Sequence, residues 1–300
     1  MSEVADRVLR LGDGRSLGFR VHGDPGGAPL LFLHGTPGSR LEFGIGHEAG
    51  RARGLAIIAL DRWGYGLSDC PPSPTLTGFA DDAAALMDHL GHERFAVGGI
   101  SGGAPYAAAV AACLSARVTT LALVSPVGPI VAAAAVTALT RMQRFSFGVL
   151  PARPMLAASI FRTFGLSLAI SPRFAARLAT LRSTRSDKAL IGEPQVCERL
   201  MGSFREGLRR GTSGPATDLA IFSRPWQIDL TRIRVPARVW IGMADVIVPQ
   251  DAARALAGAI AGCILTELPG EGHLWVAGSY EEVLDWIGAT AHPRMTALGA

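Results

Sequence analysis

Gly99-Ile100-Ser101-Gly102-Gly103 decides the reading of this chain. It fits the pattern G-x-S-x-G, and its flanks give the pattern mechanical meaning. Arg94-Phe95-Ala96-Val97-Gly98 precedes it, short and apolar like a buried strand. Ala104 to Ala116 follows, alanine-rich like a packed helix. A serine between such elements occupies a very tight turn. Small residues at 99, 102 and 103 let the backbone turn without a Cβ collision. The hydroxyl is then held out at the strand's carboxyl end, beside the N–H groups that open the helix. That is a nucleophile's position. The bland alternative is an ordinary glycine-rich strand–helix turn.

Strand and helix signals alternate around this point. Arg7–Leu11 and Ser16–His22 flank Asp13-Gly14, a hairpin signal. Leu30–Leu33 reads as a buried strand ending at His34-Gly35-Thr36-Pro37-Gly38, with a helix expected over Ser39–Gly50. Leu55–Leu60 is a strand ending at Asp61-Arg62-Trp63-Gly64. Thr77 is the expected N-cap of a helix through Leu90. Val118–Ser125, Ala237–Gly242 and Cys263–Leu268 read as strands, and Gln250–Ala261 and Gly278–Ala289 as helices. The fold class is therefore α/β, with a doubly wound, mostly parallel sheet that starts on an antiparallel hairpin. Ile130–Pro225 breaks the alternation. It is rich in Ala, Leu, Arg and Phe, and Pro151, Pro154, Pro172 and Pro194 divide it into helices. It is expected to be a helical lid (residues 130–225), a mobile cover that sets pocket size, inserted into a core made of 1–129 and 226–300. His292 to Ala300 is expected to be a mobile tail.

Composition narrows the function classes. Nearly half of the 300 residues are hydrophobic, enough for a substantial core. The mean hydropathy is positive, at +0.29. Phe95–Ala116 and Val118–Thr140 are long and uncharged, but a Gly-rich turn interrupts the first and Ser125-Pro126-Val127-Gly128-Pro129 the second. Neither makes a continuous spanning helix. Buried parallel strands read this way, so a soluble protein without stable membrane insertion is expected. Met1–Asp6 has acidic residues and no apolar run, so no secretory signal is expected. Cys70, Cys113, Cys197 and Cys263 are far apart; Cys113 and Cys263 read as small core residues. A reduced, cytoplasmic setting fits. Ile130–Pro225 carries 14 Lys/Arg against 5 Asp/Glu, and the remainder 15 against 20. This is either a solvated helical surface or a cover that favours an anionic substrate or an acidic membrane surface. The arginines are not interleaved with aromatics in a recognised motif, which excludes nucleic acid as the expected partner.

A serine hydroxyl needs a base, usually a histidine oriented by a carboxylate. His273, in Leu268-Pro269-Gly270-Glu271-Gly272-His273, follows the last strand and would reach the edge that carries Ser101. His34 is more suited to bracing its own loop. His22, His47, His89, His92 and His292 read as surface or tail residues. Asp245, in the loop after Trp240-Ile241-Gly242, is well placed as the orienting acid. The loop after Val118–Ser125 has no carboxylate, and Asp229 and Asp251 are weaker alternatives.

The order Ser101, Asp245, His273 completes a resemblance to the α/β-hydrolase superfamily over nearly the whole chain. It rests on His34-Gly35-Thr36-Pro37-Gly38, Asp61-Arg62-Trp63-Gly64-Tyr65-Gly66-Leu67-Ser68-Asp69, Gly99–Gly103, the Asp245 loop and Gly272-His273. The resemblance implies an oxyanion hole made by the backbone N–H groups of Gly102 and Thr36. Pro37 cannot donate, which favours Thr36. It implies that Asp61 and Arg62 tie loops together. Trp63 and Trp275 either line the pocket or pack in the core.

The expected function is a serine hydrolase cleaving an ester or related acyl bond of a small molecule, with no metal or organic cofactor. Epoxide hydrolases and haloalkane dehalogenases of this superfamily place an aspartate where Ser101 stands. Proline iminopeptidases need acidic groups for a substrate ammonium, which the basic lid disfavours. C–C bond hydrolases of acidic diketones share the triad and remain an alternative, as does cofactor-independent peroxidase activity. From another class, the fold could serve as a non-catalytic ligand-binding receptor, although a binder has no need of all three groups.

Overall fold

The computed structural model describes residues 4–131, 139–278 and 280–291. β1 (Arg7–Arg10) and β2 (Ser16–Gly23) form the antiparallel hairpin that Asp13-Gly14 announces. β3 (Ala28–Leu33), α1 (His47–Ala52), β4 (Leu55–Leu60), α2 (Leu76–His89), β5 (Phe95–Ile100), α3 (Ala104–Cys113) and β6 (Val118–Val124) then alternate. An all-helical stretch follows: α4 (Arg141–Arg144), α5 (Pro154–Ile170), α6 (Pro172–Ala179), α7 (Arg185–Gly192), α8 (Pro194–Gly207) and α9 (Ser213–Phe222). β7 (Ala237–Gly242), α10 (Gln250–Ala259), β8 (Ile264–Leu268) and α11 (Glu281–Ala291) restore the alternation. Pro154, Pro172 and Pro194 open α5, α6 and α8, where a missing N–H costs no hydrogen bond.

The strands form one sheet in the order β1-β2-β4-β3-β5-β6-β7-β8. β2 pairs antiparallel with β4, and β3 to β8 pair in parallel. Strand residues alternate between faces with period two. Leu31, Ile58, Val97, Leu121 and Val239 pack with α2, α3 and α10 on one face. Leu30, Ile57, Ala96, Ala122 and Trp240 pack with α11 on the other. Both faces are covered, so the strands are apolar throughout. Every residue from Ala104 to Ala112 is buried. Their small side chains let this helix lie close against the sheet.

Parallel pairing puts the carboxyl ends on one edge. Leu33 pairs with Leu60 on one side and with Gly99 on the other. From β3 the chain leaves toward β4, whereas from β5 it leaves toward β6 on the opposite side. The crevice between such diverging connections is where open α/β sheets bind ligands. Here it is bounded by Gly35-Thr36 and Ser101-Gly102.

Some local expectations shift. The helix expected from Ser39 begins later, as a tight turn over Glu42–Gly46 followed by α1. Ser39 N donates to Ser203 Oγ at 3.0 Å and Arg40 N to Asp61 Oδ1 at 2.6 Å, so both are held outside a helix. Thr75, not Thr77, caps α2, accepting from Gly78 N at 3.1 Å. The last helix starts at Glu281, after a separate turn over Trp275–Ala277. Cys113 and Cys263 are only partly buried, whereas Cys197 is buried. The tail expected over His292 to Ala300 lies outside the described residues. Among those residues no helix is long and apolar enough to cross a membrane.

The turn after β5 leaves no room for a side chain at 103. A Cβ there would stand 2.3 Å from Leu33 O and 2.6 Å from His34 O, both rigid backbone. Gly103→Ala is therefore expected to destabilise the protein by about 3 kcal/mol or more in urea unfolding. A Cβ added to Gly258 of α10 would meet nothing within 4 Å beyond its own helix backbone. Gly258→Ala should instead stabilise by about 0.5–1 kcal/mol.

Candidate active site

Ser101 directly follows β5 and takes φ 51, a left-handed conformation uncommon for a residue with a side chain. The turn over Ser101–Gly103 runs into α3. Gly102 is its second residue, where a helical start leaves N–H groups without an internal acceptor. A Cβ on Gly102 would stand 2.0 Å from Thr36 Oγ1, so the loop after β3 lies directly against this turn. The Thr36 N–H has no acceptor among the described residues.

The loops after β7 and β8 are laced together. Met243 N donates to Leu268 O at 2.9 Å and Ala244 N to Glu271 O at 2.8 Å. This brings Asp245 to His273. Asp245 Oδ2 accepts from His273 Nδ1 at 2.7 Å, and its Oδ1 accepts from Ile247 N at 2.7 Å and Val248 N at 3.1 Å. His273 Nε2 lies 3.0 Å from Ser101 Oγ. The three residues singled out in the sequence thus form one hydrogen-bonded line. Burial alone would lower the His273 pKa. The Asp245 carboxylate, helped by Asp187 and Glu42, outweighs it and holds the pKa above the ordinary histidine value. Such a line can draw a proton from the hydroxyl and stabilise the resulting imidazolium.

Other expected residues fall elsewhere. Asp229 caps the short turn Leu230–Arg232, and Asp251 pairs with Arg254. Trp63 is buried in the core and donates Nε1 to Asp82 at 2.7 Å. Trp275 donates Nε1 to Ser125 Oγ at 3.1 Å. Neither tryptophan is among the residues lining the cavity beside Ser101. His34 does brace its loop: Nδ1 donates to Gly35 O at 2.8 Å, and Nε2 accepts from Arg62 N at 3.0 Å. Burial, reinforced by the Arg62 charge, holds its pKa well below the ordinary value, so the ring is neutral. His22 is not a surface residue. It is buried against Arg40 O, and burial pushes its pKa down to about 4.

Three carboxyl groups escaped the sequence reading. Asp218 of α9 is fully buried and gathers five donors: Arg62 through two nitrogens, Tyr65 OH at 2.6 Å, Tyr106 OH at 2.7 Å and Thr36 Oγ1. Arg62 also donates to His34 O and Gly35 O, so Asp218 fixes the whole loop after β3. Asp187 of α7 accepts from Leu274 N at 2.8 Å and His273 N at 3.3 Å, which ties the helical stretch to the His273 loop. Ser125, at φ 42, adds a hydrogen bond to His273 O at 3.1 Å. Glu42 is buried and accepts from Gly35 N at 3.2 Å; burial pushes its pKa up to about 7. The only sequence signal for Asp218 was a charge inside an otherwise apolar helix.

Ser101 and His273 open on a cavity of about 290 Å³. Its outer wall comes from the helical stretch, through Phe164, Thr180, Ile191, Leu200, Met201 and Phe204. Among the described residues no Lys or Arg lines it.

Residues 30–286 match the sequence profile described as the Alpha/beta hydrolase family. A non-heme chloroperoxidase of Streptomyces lividans is 28% identical over 293 residues, covering 91% of this chain and 94% of the relative. Among solved structures, an alpha/beta hydrolase fold protein from Nakamurella multipartita superposes with TM-score 0.69 at 23% identity, covering 96% of this chain and 99% of the other. A thermophilic esterase from Thermogutta terrifontis gives TM-score 0.65 at 24% identity, covering 95% and 97%. These structural likenesses speak for the fold.

Asp218→Ala would leave the Arg62 guanidinium buried without its partner. The expected loss is about 3–5 kcal/mol of stability, read by urea unfolding.

Proposed function

This chain belongs to the Alpha/beta hydrolase family, matched over residues 30–286, and we propose that it is a serine hydrolase cleaving an ester or related acyl bond of a small organic substrate through an acyl-enzyme. The observation that carries this reading is the line from Ser101 Oγ through His273 to Asp245, beside an apolar cavity. Of the described residues, those within 1–129 and 226–300 are assigned to the hydrolase core, and those within 130–225 to the lid that walls the cavity.

Ser101 attacks the substrate carbonyl and His273 Nε2 takes its proton. Asp245 holds the imidazole with Nδ1 protonated and stabilises the imidazolium. The N–H groups of Gly102 and Thr36 bind the oxyanion, each worth about 3–4 kcal/mol of barrier. His273 returns the proton to the leaving alcohol. Water activated by His273 then attacks the acyl-enzyme and releases the acid. Among the described residues no Lys or Arg lines the cavity to receive an anionic diketone substrate, which favours ester over C–C cleavage.

A fluorophosphonate probe should label wild-type protein at Ser101, and Ser101→Ala should abolish labelling with little change in Tm. Well-folded protein that resists labelling would point to a ligand-binding receptor. Nitrophenyl esters should be turned over; cleavage of a vinylogous 1,5-diketone acid alone would overturn the ester assignment.

His273 must be neutral to accept the proton, and its pKa is held above the ordinary value. Activity is therefore expected to fall as pH drops through a midpoint above about 6.5. Asp245→Asn should move that midpoint down and lower kcat by roughly 10⁴-fold. A midpoint at or below the ordinary histidine value would contradict the assignment of the base.

A further inference from the structure

In the reaction above Glu42 contributes only its charge to the surroundings of His273 and touches no reacting atom. Its side chain stands on the cavity wall and is only 8% exposed. Oε2 is occupied by the Gly35 N–H, while Oε1 has no hydrogen-bond partner among the described residues. A Cβ built on Gly35 would lie 3.5 Å from Ser101 Cβ and 4.0 Å from Glu42 Oε1. The nucleophile and the unpartnered oxygen therefore face the same small space.

The groups around Glu42 do not neutralise it. Arg62, from the loop after β4, is consumed by Asp218. His273, from the loop after β8, is paired with Asp245. Tyr280, ahead of α11, is a buried phenol held neutral by burial and by Glu42 itself. His34 is neutral for the reasons given above. The rest of the wall is largely apolar, through Phe164, Leu200, Met201, Phe204, Ile247 and Leu274. A carboxylate oxygen in such surroundings attracts a cation strongly and repels an anion, because little solvent screens it.

We infer that Glu42 Oε1 is a subsite for a substrate ammonium group, so that the preferred substrates are esters carrying a cationic nitrogen close to the scissile carbonyl. This rests on the serine-hydrolase reading. It also separates the cavity from the arginine-rich exterior of the lid, whose arginines, among the described residues, do not line the wall.

The test compares 2-(trimethylammonio)ethyl butyrate with its uncharged carbon isostere, 3,3-dimethylbutyl butyrate. The permanent charge keeps substrate titration out of the result. In wild-type protein at about pH 8.5 the kcat/KM ratio of charged to uncharged ester should be about tenfold or more, the scale of one buried charge contact. At about pH 6 the carboxyl takes up a proton and the ratio should fall toward one. Glu42→Gln should bring the ratio near one at both pH values. Using a ratio within each enzyme cancels any general loss of activity. A ratio near one in wild-type protein, or a preference that survives in Glu42→Gln, overturns the proposal. Binding of butyltrimethylammonium, followed by calorimetry on wild-type protein alone, should tighten as pH rises through about 7; pH-independent or undetectable binding overturns it as well. That measurement needs no turnover. If neither ester is cleaved and Ser101 resists the fluorophosphonate, the hydrolase reading fails while the subsite is still judged by calorimetry.

Discussion

The buried ion pair between Arg62 and Asp218 is the contact on which the site's geometry depends. Both side chains are almost fully withdrawn from water. Desolvating two charges is costly, and their mutual attraction offsets the cost only when the remaining polar atoms are also satisfied. Tyr65, Tyr106 and Thr36 supply that completion. Arg62 in turn holds the carbonyls of His34 and Gly35. A single carboxylate on α9 therefore sets the path of the loop that carries the Thr36 N–H. The helical stretch and the sheet edge are thus joined here by a polar junction as well as by apolar packing.

Around that junction the candidate site is assembled from rigid parts. Ser101 is held at φ 51 by a turn with no space for a Cβ at 103, and uncommon backbone of this kind persists only where the surroundings over-determine it. Asp245 and His273 reside on two loops that hydrogen-bond to each other before the side chains meet. The imidazole line is thus preorganised by backbone contacts, not gathered by the side chains alone. Preorganisation matters because reorienting dipoles during reaction would raise the barrier.

The alternation of apolar runs with helical segments made the sheet legible, and strand ends in a parallel sheet share an edge. That is why Ser101, Asp245 and His273 could be chosen although they are far apart in the chain. Boundaries were less legible. Thr75 and Thr77 are both plausible caps, and only the backbone conformation distinguishes them. His22 reads as polar and exposed in the sequence, yet Arg40 lies against it in space. Asp187 and Asp218 were invisible because their partners are contributed by distant loops, and Glu42 because its partner, the Gly35 N–H, is a backbone group that no residue pattern marks. A carboxylate such as Asp218, which receives donors from three separate segments, leaves no local pattern to recognise.

Asp187 carries a different lesson. It grips the main-chain amides of His273 and Leu274 from α7, while Asp218 grips the opposite loop from α9. Replacing this helical stretch with that of another hydrolase would therefore do more than reshape a substrate chamber. It would unfasten both loops unless the donor segment brought its own pair of acids to the same places. Modular exchange on this scaffold has to keep these two anchor points, beside the Ser203 contact to Ser39, and any chimera has to be spliced with them in mind.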